Sequence, residues 1–103
     1  MTRVISPVGR IDGATSPAME SEITEVIAGG ERHLLIDLSK VDYMSSAGLR
    51  VLLAAMKKVK ALQGDMVLCC MQPFVKEVFD LTGFSRIFSI YASEEEALRQ
   101  HQG

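Results

Sequence analysis

Short apolar runs alternate along this chain with longer stretches in which apolar residues recur every three or four positions. Val4 to Ile11 is apolar-rich and ends at Asp12-Gly13, a turn signal. It reads as a strand, and Pro7 within it points to an edge position or a bulge. Thr15-Ser16-Pro17 reads as a helix start, with Ser16 as the cap and Pro17 at the first helical position. Met19, Ile23, Val26 and Ile27 then follow helical spacing as far as Gly29-Gly30. His33 to Leu38 is nearly continuous in apolar residues, as in a strand buried on both faces. Ser39 to Tyr43 reads as a loop. Beyond it Leu49, Leu52, Leu53, Met56, Val59 and Leu62 mark one face of a helix that stops at Gly64-Asp65, with Arg50, Lys57, Lys58 and Gln63 largely off that face. Met66 to Met71 is a second buried strand. Pro73 opens a helix with apolar positions at Phe74, Val75, Val78, Phe79 and Leu81, closed by Gly83. Ile87 to Tyr91 is a last strand, and Ser93 caps a final helix whose first turn carries Glu94, Glu95 and Glu96, where the helix dipole favours them.

Strands alternating with helices imply an α/β fold with right-handed crossovers. The expectation is a central four- to five-stranded sheet, mixed but mostly parallel, with helices mainly on one face. A chain of 103 residues holds one hydrophobic core, so residues 1–103 are expected to form one domain. Charge narrows the function. The net charge of -2 and the absence of Trp give no footing for nucleic acid. No apolar run approaches the roughly 20 residues of a membrane helix, and the N-terminus lacks the apolar centre of a signal peptide. The expectation is a cytoplasmic protein with no membrane insertion. Cys69 and Cys70 are adjacent, so they cannot staple distant parts of a fold. They read as strand residues facing opposite sides of a sheet, with a redox pair as the alternative.

The candidate chemistry lies in DYMSSAGLRVLL, Asp42 to Leu53, a strand–loop–helix junction of the kind where function concentrates in parallel sheets. Ser45 or Ser46 can cap the helix that follows. A serine nucleophile needs a general base within reach. His33 falls at the far end of its predicted strand and His101 near the C-terminus, and Met44 and Gly48 break the Gly-x-Ser-x-Gly elbow. The single glycine and Arg50 do not make a phosphate-binding loop. Asp37 and Asp42 read as turn-capping residues rather than metal ligands. Neither a metal nor a cofactor is expected, and the chain is not expected to be an enzyme. A phosphorylation site needs no base beside the serine, because the hydroxyl is then the substrate of another enzyme.

The run IDLSKVDYMSSAGLRVLLAAMKKVKALQGDMVLCCMQPFVKEVFDLTGFSRIFSIYASEEEAL, with GRIDGATSP before it, resembles the STAS domain of bacterial anti-sigma factor antagonists. The likeness covers nearly the whole chain. It implies a small α/β domain that works by partner switching. Unphosphorylated, such an antagonist binds a kinase-type anti-sigma factor and releases the sigma factor. The anti-sigma factor uses ATP to phosphorylate a serine of the antagonist, binding is lost, and a PP2C-type phosphatase resets the protein. The family motif is Asp-Ser-Ser-Gly, with the serine after Asp phosphorylated. Laid on this chain, the Asp falls on Ser45, the phosphoserine on Ser46 and the second serine on Ala47, while Asp12 falls on the family's acidic residue in the neighbouring loop. Ser45 is thus a second possible acceptor.

The docking surface expected around Ser46 comprises Asp12, Thr15, Asp42, Ser45, Gly48 and Leu49. Gly48 would admit a close backbone approach, and either Met44 or Leu49 would be exposed for contact. Phe84 is expected to plug the core beneath its loop. The strand that precedes GRID in the family is here missing or reduced to Met1 to Arg3, which leaves an edge less protected and implies a monomer or weak dimer. The alternative within the same family is a STAS subunit or scaffold of a transporter or another signalling complex.

Overall fold

The computed structural model describes residues 2–101, excluding the side chain of His101. The elements are β1 (Arg3–Ile5), β2 (Gly9–Ile11), α1 (Ser16–Ala28), β3 (His33–Asp37), β4 (Val41–Met44), α2 (Ser46–Ala61), β5 (Asp65–Cys69), α3 (Pro73–Thr82), a 3-10 turn at Phe84–Arg86, β6 (Ile90–Tyr91) and α4 (Glu94–His101). One sheet has the order β1-β3-β5-β6, and β2 and β4 form a separate pair. Every strand pair among the described residues is parallel, so the antiparallel edge allowed for by the sequence is not there.

Side-chain alternation divides the sheet cleanly. Ile5, Leu34, Ile36, Met66 and Leu68 pack into the main core beneath α1, α2 and α3, which supply Ile23, Leu52, Val59, Val75 and Phe79. Leu35, Val67 and Cys69 point to the opposite face, where α4 covers them with Ala97. Three helices thus lie on one face and the short C-terminal helix on the other. Phe79 meets Phe84 and Phe88 edge-on, with centroids 6.5 and 6.1 Å away. Phe84 is the core plug expected of it.

Several boundaries differ from the sequence reading, each for a local reason. The strand expected over 4–11 is two strands, interrupted where Pro7 offers no N–H to a ladder. Its first half, β1, pairs with β3 and forms an edge of the sheet, so the N-terminal strand is present rather than lost. Ser39–Tyr43 is not all loop. Val41 N–H closes a turn onto the Leu38 carbonyl at 3.0 Å, and β4 begins there. Ser16 does not cap α1. It is the buried first residue of the helix, and Thr15 precedes it. Leu81 faces solvent at 79% exposure, and Phe74 is half-exposed at 52%. The strand expected over 87–91 is shortened to Ile90–Tyr91 because the 3-10 turn after Gly83 takes up the chain. Gly83 itself closes α3 in the left-handed region, φ 83°, where a side chain would be strained.

The cysteines also depart from expectation. Cys69 ends β5, but Cys70 turns into the left-handed region at φ 64°, which brings the two sulfurs to 3.1 Å on the α4 side of the sheet. They do not face opposite sides.

Candidate functional site

The β2–β4 ladder ends with Ile11 beside Met44, and Ser45 N–H extends it by donating to the Ile11 carbonyl at 2.9 Å. The next residues, Asp12 and Ser45, therefore leave the same end of the ladder side by side. Here the two serines divide their work. Ser45 is the N-cap of α2: its backbone is extended, its Oγ accepts from Ala47 N–H at 3.2 Å, and its carbonyl takes the first helical bond from Leu49 N–H at 3.1 Å. Ser46 is the first residue of the helix, exposed, and its hydroxyl has no hydrogen-bond partner among the described residues. One serine holds the helix end while the other presents a free hydroxyl beside it.

The neighbouring loop is built on Asp12. Its Oδ2 accepts from Arg10 Nε at 2.9 Å, and its Oδ1 accepts from the N–H groups of Ala14 at 3.0 Å and Thr15 at 3.2 Å. Thr15 Oγ1 donates to the Arg10 carbonyl at 2.6 Å and accepts from Asp12 N–H at 2.8 Å. The Arg10 side chain, followed by these amides, holds the Asp12 carboxyl below its ordinary pKa of 3.8. Arg10 also lies over the Tyr43 ring, 3.9 Å from its centroid, and Tyr43 stacks on Phe74 at 6.1 Å. Arg10, Tyr43 and Phe74 thus form a stack across β2, β4 and α3.

Of the residues expected at the docking surface, Asp42 and Thr15 are exposed, and Asp12 and Ser45 are partly so. Gly48 and Leu49 are not on that surface, which corrects the expectation. Leu49 is 3% exposed, and Met44, its alternative, is 1% exposed. A Cβ on Gly48 would stand 2.3 Å from Met44 Sδ and 2.7 Å from Ile11 Cγ2. Gly48 therefore admits the close approach of α2 to the β2–β4 pair, not of a partner. Arg10, Tyr43 and Phe74 were not among the expected site residues. Alternation in VDYM was the available signal for Tyr43, and it is too short to stand out from a loop. His33 lies at the start of β3, where its Nδ1 meets Asp65 Oδ1 at 2.7 Å, far along the chain's architecture from the serines.

The STAS domain profile matches residues 2–97. The chain belongs to the STAS domain family. BtrV of Bordetella bronchiseptica is 42% identical over 89 residues, which span 86% of this chain and 77% of that protein. The anti-sigma-B factor antagonist of Listeria monocytogenes is 37% identical over 89 residues, 85% of this chain and 77% of that one. The unphosphorylated anti-sigma factor antagonist SpoIIAA superposes with a TM-score of 0.84 at 25% identity, covering 99% of this STAS chain and 89% of SpoIIAA. SpoIIAA has also been solved in a phosphorylated form, from Bacillus, and that form gives a TM-score of 0.72 at 24% identity, over 96% and 89% of the two chains. A sulfate transporter family protein from Wolinella succinogenes and a SulP transporter STAS domain from Vibrio cholerae share the fold at 10% and 16% identity.

Proposed function

We propose that this STAS domain is an anti-sigma factor antagonist whose binding to a kinase-type anti-sigma factor is switched by phosphorylation of Ser46. The observation that carries the reading is the division of labour at the start of α2. Ser45 caps the helix, so the exposed Ser46 hydroxyl is free to accept a phosphoryl group without uncapping anything. A phosphate there lies by the unpaired N–H groups of the first helical turn. It adds close to two negative charges next to the Asp12 loop and changes what can dock. The names of the curated relatives and the likeness to SpoIIAA support the same reading. The transporter or scaffold alternative has the shared fold behind it and nothing more specific.

In this reading the chain is the substrate of a serine kinase rather than an enzyme. It works in the cytoplasm as a monomer or weak dimer, and a PP2C-type phosphatase restores it. Asp12, Thr15 and Asp42 surround the acceptor on the partner-facing surface, and Ser45 is the second choice for the acceptor position.

The test is a pull-down from native lysate with wild type, Ser46→Ala and Ser46→Asp, followed by phosphorylation of each variant with the captured partner and ATP. Wild type and Ser46→Ala should retain a kinase-type ATPase, Ser46→Asp should lose it, and only proteins with Ser46 should take up phosphate. Retention of one and the same partner by all three would leave Ser46 as an ordinary helix residue and bring the scaffold reading forward. Phosphate uptake by Ser46→Ala that Ser45→Ala abolishes would move the acceptor to Ser45.

A further inference from the structure

A second cluster of chemistry lies away from the serines, where β3 and β5 end beneath α4. Asp37 and Cys69 are register partners, so their side chains leave the sheet on the same face. Cys70 would ordinarily point to the other face. Its left-handed backbone, φ 64°, turns it back, and the sulfur stands 3.1 Å from that of Cys69. A carboxylate oxygen of Asp37 and the two sulfurs all lie within 4.8 Å of one another. Glu94, the first residue of α4, brings a second carboxyl against that of Asp37. The backbone beneath is pinned: Leu38 N–H donates to the Cys69 carbonyl at 3.0 Å, and Cys70 N–H donates to the Tyr91 carbonyl at 3.1 Å. Rigid elements thus hold two thiols and the Asp37 carboxyl in one place, with Glu94 against Asp37, and among the described residues neither carboxyl has a Lys or Arg in an ion pair.

We propose that Cys69, Cys70 and Asp37 form a binding site for a thiophilic divalent cation of the zinc class, with water as the fourth donor. Sulfur and oxygen donors in a set of four suit a d10 cation in tetrahedral coordination, whereas magnesium and calcium require oxygen alone. The sulfur separation is far beyond the roughly 2.05 Å of a disulfide, so the arrangement is one of two thiols. On binding, each thiol gives its proton to solvent and the two thiolates and a carboxylate bond the cation, with no change of oxidation state. Cys69 is fully buried, while Cys70, Asp37 and Glu94 are half-buried and leave a way in from solvent. The site is independent of the role proposed for Ser46.

The experiment is a titration of the full chain with cobalt(II) as a spectroscopic stand-in for zinc, after metal removal and reduction with a phosphine. One equivalent should produce thiolate-to-cobalt charge-transfer bands and the intense visible bands of tetrahedral cobalt, and zinc should bleach them. Cys70→Ser should lose the charge-transfer bands, and Asp37→Asn should shift saturation to about tenfold more cobalt or higher. Cys70 is outside the strand and only half-buried, so its serine variant should keep the wild-type circular dichroism. Zinc should raise the Tm of wild type and not of that variant. Weak octahedral cobalt bands, or charge-transfer bands untouched by Cys70→Ser, would overturn the proposal.

Discussion

At Gly48 a single missing side chain fixes how α2, which begins at Ser46, meets strands β2 and β4. An added methyl would run into Met44 Sδ at 2.3 Å and Ile11 Cγ2 at 2.7 Å, and both of these residues are buried in the main core. The methionine is flexible enough to give way, but Ile11 is branched at Cβ and sits in the β2–β4 ladder. Gly48→Ala should therefore destabilise the protein by about 1–3 kcal/mol, in the range of overpacked cores, even though alanine favours the helix itself. Urea denaturation followed by circular dichroism reads that difference. A variant as stable as wild type would mean that α2 rides up on its neighbours without cost. Glycine in a serine-rich turn suggested an open approach for a partner. Only the packing distances reveal that the approach is between elements of the same chain.

The loop from Asp12 to Thr15 and the strands around it show what a pattern of residues does and does not carry. Long amphipathic helices were legible because many positions agree on one face: Leu52, Met56 and Val59 of α2 are buried as their spacing requires. Strands β3 and β5 were legible as apolar runs. Strand β4 was not, because four residues with one clear alternation look like a loop, and its partner β2 lay hidden within what read as one longer strand. The site was legible in part. Ser46 stands out by its place in the family's motif and Asp12 by falling on the family's acidic residue in the neighbouring loop, whereas the Arg10–Tyr43–Phe74 stack depends on three elements meeting and has no signature along the chain. The loop's own cohesion can be tested through pH. With its pKa lowered by Arg10 and the Ala14 and Thr15 amides, the ionised Asp12 contributes stability above its unfolded-state pKa. That contribution is lost as pH falls through the lower folded-state value. An NMR titration of the Asp12 carboxyl should place its midpoint below the ordinary 3.8, with the Ala14 and Thr15 amide shifts moving in step. Arg10→Gln should raise the midpoint. A midpoint at the ordinary value in wild type would show that these hydrogen bonds do not persist in solution.

Across the whole molecule, the proposed acceptor Ser46 stands apart from what holds the fold together. The main core is built from the sheet face under α1, α2 and α3, and the second face is closed by α4, while Ser46 is exposed at the rim of the β2–β4 pair. Phosphate at the exposed first position of α2 gains from the helix dipole by about 0.3–1 kcal/mol. That effect is confined to the first turn and does not reach the core. Phosphorylation of Ser46 should therefore leave global stability within about 1 kcal/mol of the unmodified protein and leave the urea m-value unchanged. Amide NMR shifts should change in the first turn of α2 and in the Asp12–Thr15 loop, and very little in β3, β5 or α4. Such a result would make the switch one of surface charge: the partner is rejected by a changed docking face on an unchanged scaffold. Shifts spreading through the sheet, or a fall in m-value, would instead mean that the phosphate works by loosening the packing of α2 on the core, with Gly48 the nearest point at which that packing can give.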